Sequence, residues 1–249
     1  MIDLHCHILP EIDDGPNSWE ATLEMCHIAA QDGIRHIVAT PHANDQYSYD
    51  RPHFESMLQR LTASCSNSLQ FSLGCDFHFS YENIENAVLD PRRYTIANSN
   101  YLLIEFNNFS LMPSIQQGIF RLLGAGIVPI VTHPERNPVL LDRPEKVLDL
   151  IEHNCQIQVT AGSFTGYWGE RPQRMAEWLL KRDAIHVVAS DAHDPVRRPP
   201  VLSGAYERVC SLGNNDVAQA LFVDNPNTIA SMGAAPLRKN RSAVFPTDE

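Results

Sequence analysis

Met1-Ile-Asp-Leu-His-Cys-His7 is a short apolar run that ends on two histidines one residue apart. Strand side chains alternate between faces, so residues two apart point the same way, and His5 and His7 face together. A His-x-His pair alone carries little weight. Four later apolar runs end on side chains of the same kind: Ala39-Thr-Pro-His42, Ile104-Glu105, Val131-Thr-His133 and Ala189-Ser-Asp191-Ala-His193. Metal-ligating residues that recur at strand ends along most of the chain predict a polynuclear metal site. The site should lie at one end of a parallel β/α structure and support metal-assisted hydrolysis.

Working outward, short apolar runs alternate with segments of helical period. The strands are expected at Ile2–His7, His36–Thr40, Gln70–Cys75, Tyr101–Phe106, Val128–Thr132, Cys155–Thr160 and His186–Ser190. Helices are expected at Ser18–Gln31, Pro52–Ser66, Ser114–Leu123, Pro144–His153, Pro172–Arg182 and Leu202–Leu212. In the first of them Trp19, Leu23, Cys26 and Ala30 fall on one face, with Asn17 or Ser18 as cap and Gly33 as stop. Repeated strand–helix units imply a parallel sheet with right-handed crossovers. About seven such units, with no break that would divide the chain, predict a distorted (β/α)7 TIM-like barrel in one domain spanning residues 1–249. The polar, aperiodic stretch 236–249 is expected to be a peripheral tail. The polar loops Ala43–Arg51 and Phe164–Glu170 should face the site, because function collects at the C-terminal ends of barrel strands.

The 30 acidic residues against 19 basic ones give a formal charge of −11. That argues against a nucleic-acid partner, which needs a basic footprint, and no polybasic helix is present for an anionic membrane surface. No apolar run approaches the roughly 18 residues of a membrane span, so no membrane insertion is expected. The chain starts on a strand with no basic region and long apolar stretch, so no signal peptide is expected. The cysteines Cys6, Cys26, Cys65, Cys75, Cys155 and Cys210 include no Cys-x-x-Cys pair, and a disulfide scaffold is out of character at this size. A cytoplasmic enzyme is the default. The sequence leaves the oligomeric state open.

The ligand set is His5, His7, Asp14, His42, Asp76, Glu105, His133, Asp191 and His193. Asp14 lies in the turn Ile12-Asp-Asp-Gly-Pro16, and Asp76 ends Leu73-Gly-Cys-Asp76. Five imidazoles and four carboxylates suffice for about three ligands on each of three ions, with room for water or substrate. Three divalent ions less four carboxylates leave two positive charges, which suit a hydroxide plus a phosphate. Mixed imidazole and carboxylate ligation fits manganese, iron, cobalt or zinc.

These stretches resemble the polymerase-and-histidinol-phosphatase (PHP) superfamily, and within it the bacterial manganese-dependent tyrosine-protein phosphatases encoded with capsule and exopolysaccharide genes. The resemblance covers nearly the whole chain. It is carried by Met1–His7, Ile12–Pro16, Tyr101-Leu-Leu-Ile-Glu-Phe106, His133-Pro-Glu-Arg136, His186-Val-Val-Ala-Ser-Asp-Ala-His193, Arg198-Pro-Pro200 and Leu221-Phe-Val-Asp-Asn-Pro226. It implies three metal ions, manganese first. His5, His7, Asp76 and Asp191 would hold one. Asp76, Glu105 and His133 would hold a second, with Asp76 bridging. Asp14, His42 and His193 would hold the third. Arg136 and Arg198 match the family's phosphate-binding arginines. The family usually carries glutamate where this chain has Asp76, a side chain shorter by one methylene. His78 shares its strand face and is a candidate to compensate, although an ordinary pocket or surface role is the simpler reading.

The resemblance further implies that metal-activated water attacks phosphorus in line, with both arginines on the equatorial oxygens. Arginine suits this because its planar fork grips phosphate bidentately and stays charged. A tyrosine leaving group, with a pKa of about 10, needs little protonation, and no general acid is assigned. The implied partner is a phosphotyrosine protein, a membrane-associated capsule-type tyrosine kinase. The alternatives are a small-molecule phosphatase, such as one for histidinol phosphate, and a non-catalytic PHP-like scaffold.

Absent motifs also discriminate. A thiolate phosphatase needs Cys-x5-Arg, and the residues six positions after the cysteines are Ile12, Asp32, Phe71, Tyr81, Ala161 and Asp216. His27, His36, His53, His153 and His186 fall outside the motifs and read as structural or solvent-facing. Arg197, beside Arg198, reads as a surface charge. Tyr47, Tyr49, Phe106, Phe109, Tyr167 and Trp168 could line an aromatic pocket. Singly each reads more simply as packing, and none is placed in the site.

Overall fold

The computed structural model describes residues 1–65, 69–108 and 114–231. The expected tail at 236–249, Phe109 and the last residue of the expected helix Pro52–Ser66 lie outside them. The strands are β1 (Ile2–Cys6), β2 (His36–Ala39), β3 (His42–Ala43), β4 (Gln70–Leu73), β5 (Asp76–His78), β6 (Tyr101–Glu105), β7 (Val128–Thr132), β8 (Gln156–Thr160) and β9 (Val187–Ala189). The helices are α1 (Trp19–Gln31), α2 (Arg51–Ser64), α3 (Tyr81–Leu89), α4 (Ile115–Gly124), α5 (Pro138–Leu141), α6 (Glu145–Glu152), α7 (Ala161–Phe164), α8 (Glu170–Lys181), α9 (Ser203–Leu212), α10 (Asn215–Gln219) and α11 (Asn225–Ala230).

Every strand pairing is parallel, in the orders β1-β2-β4 and β3-β5-β6-β7-β8-β9. The two sheets are one surface with a fold in it. Thr40-Pro41 separates β2 from β3, and Gly74-Cys75 separates β4 from β5, because proline cannot donate to the ladder. Hydrogen bonds still cross the break, from Gly74 N–H to Ala39 O (2.8 Å) and from Asp76 N–H to Pro41 O (3.1 Å). Glycine suits the close packing at 74, where a Cβ would stand 3.0 Å from Ile96 and 3.1 Å from Val38. On the far side, Asp191 N–H bonds His5 O and His7 N–H bonds Ala192 O, both at 2.8 Å, and Cys6 bridges Ala192 in parallel. The strands thus close into the expected distorted seven-stranded barrel.

Alternation splits the apolar side chains into two layers. Leu4, Val38, Tyr101, Leu103, Ile130 and Val187 fill the barrel interior, plugged below by Ile229 of α11. Cys6, Ile37, Ala39, Leu102, Ile104, Val131 and Val188 point outward, under the helices. Strand β1 breaks its own alternation. Its pairing with β2 shifts register between Asp3 and Cys6. Such a bulge turns consecutive residues to the same face. Leu4 therefore packs inside, Cys6 packs outside, and His5 and His7 are carried into the barrel mouth.

The expected strands and the six expected helices are all present, with ends shifted by a residue or two. α1 differs in its buried face. Thr22, Met25, Cys26 and Ala29 are inside, whereas Leu23 is 41% exposed. The hydroxyl of Thr22 bonds Ile8 O at 2.9 Å, which lets this polar residue turn inward. α3, α5, α7, α10 and α11 were not expected. All but α3 span six residues or fewer; α3 buries Ile84 and Ala87 and is capped by Ser80 on Asn83 N–H (3.2 Å).

Candidate metal centre

The C-terminal ends of the strands bring all nine sequence-predicted ligands into one mouth. His5 is fully buried, with Nε2 at 3.3 Å from Asp191 Oδ1 and 3.5 Å from Asp76 Oδ2. His7 Nε2 stands 3.6 Å from the same Asp191 oxygen and 3.9 Å from the same Asp76 oxygen. Asp14 Oδ1 lies 3.3 Å from His42 Nε2 and 3.4 Å from His193 Nε2. Glu105 Oε1 lies 3.6 Å from His133 Nε2. Compact groups with ligand atoms within 4.8 Å of one another are His7–Asp14–His42–His193, His5–His7–Asp76 and His42–Asp76–Glu105. They overlap the ligand sets that the resemblance implies, with three differences. His7 also joins Asp14, His42 and His193, and Asp191 is outside the His5–His7–Asp76 group. Third, His42 takes the place of His133 beside Asp76 and Glu105, while His133 stays 3.6 Å from Glu105 Oε1.

Asp76 belongs to two of these groups. Despite its short side chain, its Oδ2 sits among three imidazoles, with His42 Nδ1 at 3.3 Å as the third. His78, two residues along β5, belongs to none of the compact groups among the described residues. Its carbonyl accepts a bond from Asn83. His133 and Asp191 take positive φ values of 33° and 54°. Left-handed backbone at non-glycine residues is costly and gathers at functional sites. Here it turns the side chains at the ends of β7 and β9 into the mouth.

The charges oppose one another at close range. Burial disfavours a charged His5, but Asp191 and Asp76 outweigh it and lift His5 to about 9. Burial likewise opposes a charged His42, but its bond to Asp14 and the nearby Asp76 raise it to about 10. Burial and the Asp76 carboxylate push Glu105 up to about 8. Burial and His193 lower His7 to about 4, while burial and Arg136 lower His133 to about 3. Burial also works against the Asp191 carboxylate, yet His5, Arg136 and Arg198 hold it well below its ordinary range.

Asp76 Oδ1 and His42 Nδ1 are buried without a hydrogen bond. Such atoms are rare unless a ligand completes them. Hard and borderline ligand atoms, grouped within ligation distance and with buried polar atoms left unpartnered, fit divalent cations once the imidazoles shed their protons.

Two side chains that the sequence did not single out orient the candidate ligands. Asp13 Oδ2 accepts from His7 Nδ1 at 2.9 Å, and Gln158 Oε1 accepts from His5 Nδ1 at 3.0 Å. Each bond fixes the tautomer and turns the Nε2 lone pair into the mouth. Asp13 also accepts the backbone N–H of His42 (3.1 Å) and of Gly15 (3.0 Å). The signals were present: an aspartate beside Asp14, and a glutamine inside an apolar strand.

Arg136 and Arg198 both reach the Asp191 carboxylate, Arg136 through Nη1 and Arg198 through Nη2 at 2.7 Å. Arg198 also bonds Asp191 O at 2.9 Å. The Arg136 guanidinium lies 4.0 Å over the Trp168 ring, and that of Arg198 lies 5.3 Å from it. Fully buried Glu135 anchors the Arg136 turn to β8, accepting from Thr160 N–H (2.9 Å) and the Ser163 hydroxyl (2.7 Å).

Of the other aromatics, Tyr49 and Phe106 are core, Tyr47 stacks 5.9 Å from His42, and Tyr167 packs edge-on to Trp168. His36, His153 and His186 make structural bonds to Ser72, Asp149 and Ile157. None of the six cysteines is in a disulfide. No helix among the described residues is long and apolar enough to cross a membrane.

Comparison with known proteins agrees with this geometry. The family described as capsular polysaccharide synthesis, CpsB/CapC, matches residues 1–231. Tyrosine-protein phosphatase CpsB of Streptococcus pneumoniae is 32% identical over 240 residues, covering 92% of this chain and 98% of that protein. A crystal structure from work on YwqE of Bacillus subtilis and CpsB of Streptococcus pneumoniae, described as metal-dependent tyrosine phosphatases, superposes with a TM-score of 0.86. It is 28% identical and covers 96% of this chain and 98% of its own. The phosphotriesterase homology protein of Escherichia coli shares the fold at a TM-score of 0.58 and 10% identity, over 92% of this chain and 98% of its own.

Proposed function

The chain belongs to the capsular polysaccharide synthesis CpsB/CapC family, and from that premise we propose that it is a metal-dependent phosphohydrolase that removes phosphate from phosphotyrosine in protein substrates. The observation that carries this reading is the meeting of both arginines, Arg136 and Arg198, on one side of the ligand cluster, at Asp191. A cluster of ligands beside two guanidinium forks is a receptor for a phosphoryl group.

His5, His7, Asp14, His42, Asp76, Glu105, His133, Asp191 and His193 would hold three divalent ions, manganese first, with Asp76 shared between two of them. Bound there, the ions supply Lewis acidity, making water nucleophilic near neutral pH and drawing charge from the phosphoryl oxygens. The chain's own groups do the rest. Asp13 and Gln158 hold the rings of His7 and His5 in the ligating tautomer. Arg136 and Arg198 turn their forks toward the phosphoryl oxygens and neutralise the charge that builds on them. A tyrosinate leaving group, with a pKa of about 10, departs without a strong acid.

The physiological substrate is read as a membrane-associated bacterial tyrosine kinase of capsule synthesis, met by a cytoplasmic enzyme whose residues 1–249 form one domain. The acidic balance speaks against nucleic acid as a partner. The test is a metal analysis of the purified protein, with turnover of phosphotyrosine, phosphoserine and histidinol phosphate before and after chelation. Phosphotyrosine turnover should vanish with the metal and return with manganese. Full activity of the stripped protein, or turnover of histidinol phosphate alone, would overturn the reading.

A further inference from the structure

A cavity of about 150 Å³ opens beside Arg198. Ser190, Asp191, Arg197 and Arg198 form its polar end. Its remaining wall is mostly apolar, with Ala161, Gly162, Trp168, Pro199, Val201 and Ala205. Trp168 belongs to both places, because the indole that lines the cavity also lies under the Arg136 guanidinium, 4.0 Å away. Gly162 makes this arrangement fit. A Cβ there would stand 3.0 Å from the indole nitrogen, so glycine lets the ring pack closely against α7. Tyr167, 55% exposed, stands edge-on to Trp168 at the mouth.

We propose that this cavity seats the aryl ring of the phosphorylated side chain while its phosphoryl group lies at Arg198. The proposal rests on the phosphotyrosine reading and adds where the leaving group sits and what selects it. An apolar cavity of roughly 150 Å³ is enough for a benzene ring. An indole wall favours a flat ring through offset or edge-to-face contact. A phosphorylated serine side chain has no ring to fill the space, so occupancy of the cavity converts directly into preference for tyrosine. Small-molecule sites commonly combine an apolar body with a few convergent polar groups, and the two ends of this cavity divide in that way.

The test uses two non-hydrolysable probes, benzylphosphonate and methylphosphonate, bound to the manganese-loaded protein and followed by titration calorimetry. They share the phosphonate and differ in the ring. Wild type should bind benzylphosphonate more tightly by about tenfold or more, the gain expected from burying a ring. Val201→Trp and Gly204→Leu each add bulk to the cavity at a different lining position. Each should bring the ratio of affinities toward one while leaving methylphosphonate affinity within about twofold. Val201 is 39% exposed, and the first added carbon at Gly204 meets Thr165 at an ordinary 3.4 Å, so neither change crowds the core. A ratio near one in wild type overturns the proposal. So does a ratio that survives both fillings, or a fall in methylphosphonate affinity that parallels the fall for benzylphosphonate. Turnover of a phosphotyrosine peptide by wild type is measured alongside. No turnover with the ratio intact sinks the phosphatase reading and leaves the cavity assignment standing. Turnover with a ratio of one sinks the cavity assignment alone.

Discussion

Replacing Asp13 by alanine removes the acceptor of three hydrogen bonds at once: from His7 Nδ1 at 2.9 Å, His42 N–H at 3.1 Å and Gly15 N–H at 3.0 Å. The carboxylate is only 1% exposed, so water reaches these donors poorly. His7 then loses the bond that fixes its tautomer, and His42 loses the anchor of its backbone. Loss of one such outer partner typically costs about 10- to 100-fold in metal affinity or activity, or about 1.4–2.8 kcal/mol. With two ligands loosened, Asp13→Ala should reach at least the upper part of that range. Asp13→Asn separates geometry from charge. Its amide oxygen can keep the bonds to His7 and His42, while its NH2 group faces the Gly15 N–H. It should lose about tenfold, mainly because the negative charge that makes His7 a stronger ligand is gone. The assay is calorimetric titration of manganese into metal-free wild type and both variants, with thermal unfolding of the metal-free proteins as the control for folding. Manganese affinity and kcat within twofold of wild type in a folded Asp13→Ala protein would refute the positioning role. Equal losses in Asp13→Ala and Asp13→Asn would assign the whole effect to charge.

Gln158→Leu removes the acceptor from His5 Nδ1 without removing a charge. Manganese affinity should fall by about tenfold with little change in KM, and unchanged affinity would sink the assignment. Arg136→Lys keeps the charge but loses the planar fork and the stacking on Trp168, so kcat/KM on phosphotyrosine should drop by about 100-fold or more while metal content stays at the wild-type level. A loss of metal instead would make Arg136 a support for Asp191. Loading the metal should release protons at pH 7, because His5 (about 9), His42 (about 10) and Glu105 (about 8) carry protons there and must shed them to ligate. Groups raised above the working pH compete with the metal, so affinity rises as pH rises from 6 to 8. The check is the dependence of binding enthalpy on buffer ionisation enthalpy, and zero slope would contradict it.

The seven expected strands were legible because each is a short apolar run bounded by turn residues, whereas β3 and β5, too short and polar for such a pattern, were not. The candidate ligands could be named because they stand where those runs stop. The helices with a wide apolar stripe or a strong cap could be read in the same way. α1 shows the limit. Its sequence offers two overlapping apolar faces, and the choice fell to Thr22, whose hydroxyl found Ile8 O at 2.9 Å. α7 and α10 carry too few turns for period to speak, and packing holds them. In the site, Asp14 was read and the adjacent Asp13 was not. Both are aspartates in one turn, and only their contacts distinguish ligand from orienter. Trp168 could not be told from ordinary packing until the Arg136 and Arg198 guanidinium groups were seen beside its ring.

Sequence by itself determined what is local: where strands start and stop, which residue types end them, and hence that metal chemistry gathers at one end of a parallel β/α fold. Tertiary structure alone decided which way those residues face and what they meet. The β1 bulge turns His5 and His7 inward while Leu4 stays in the interior. Closure of β9 on β1 sets Ser190 against Asp3 across 187 residues, at 2.9 Å from backbone to carboxylate. It also brings Asp191 to His5. Arg136 and Arg198 meet on Asp191 only because β7 and β9 end at the same rim. Period and capping are written within a few residues. A charge cluster depends on ring closure, which no short window of sequence contains.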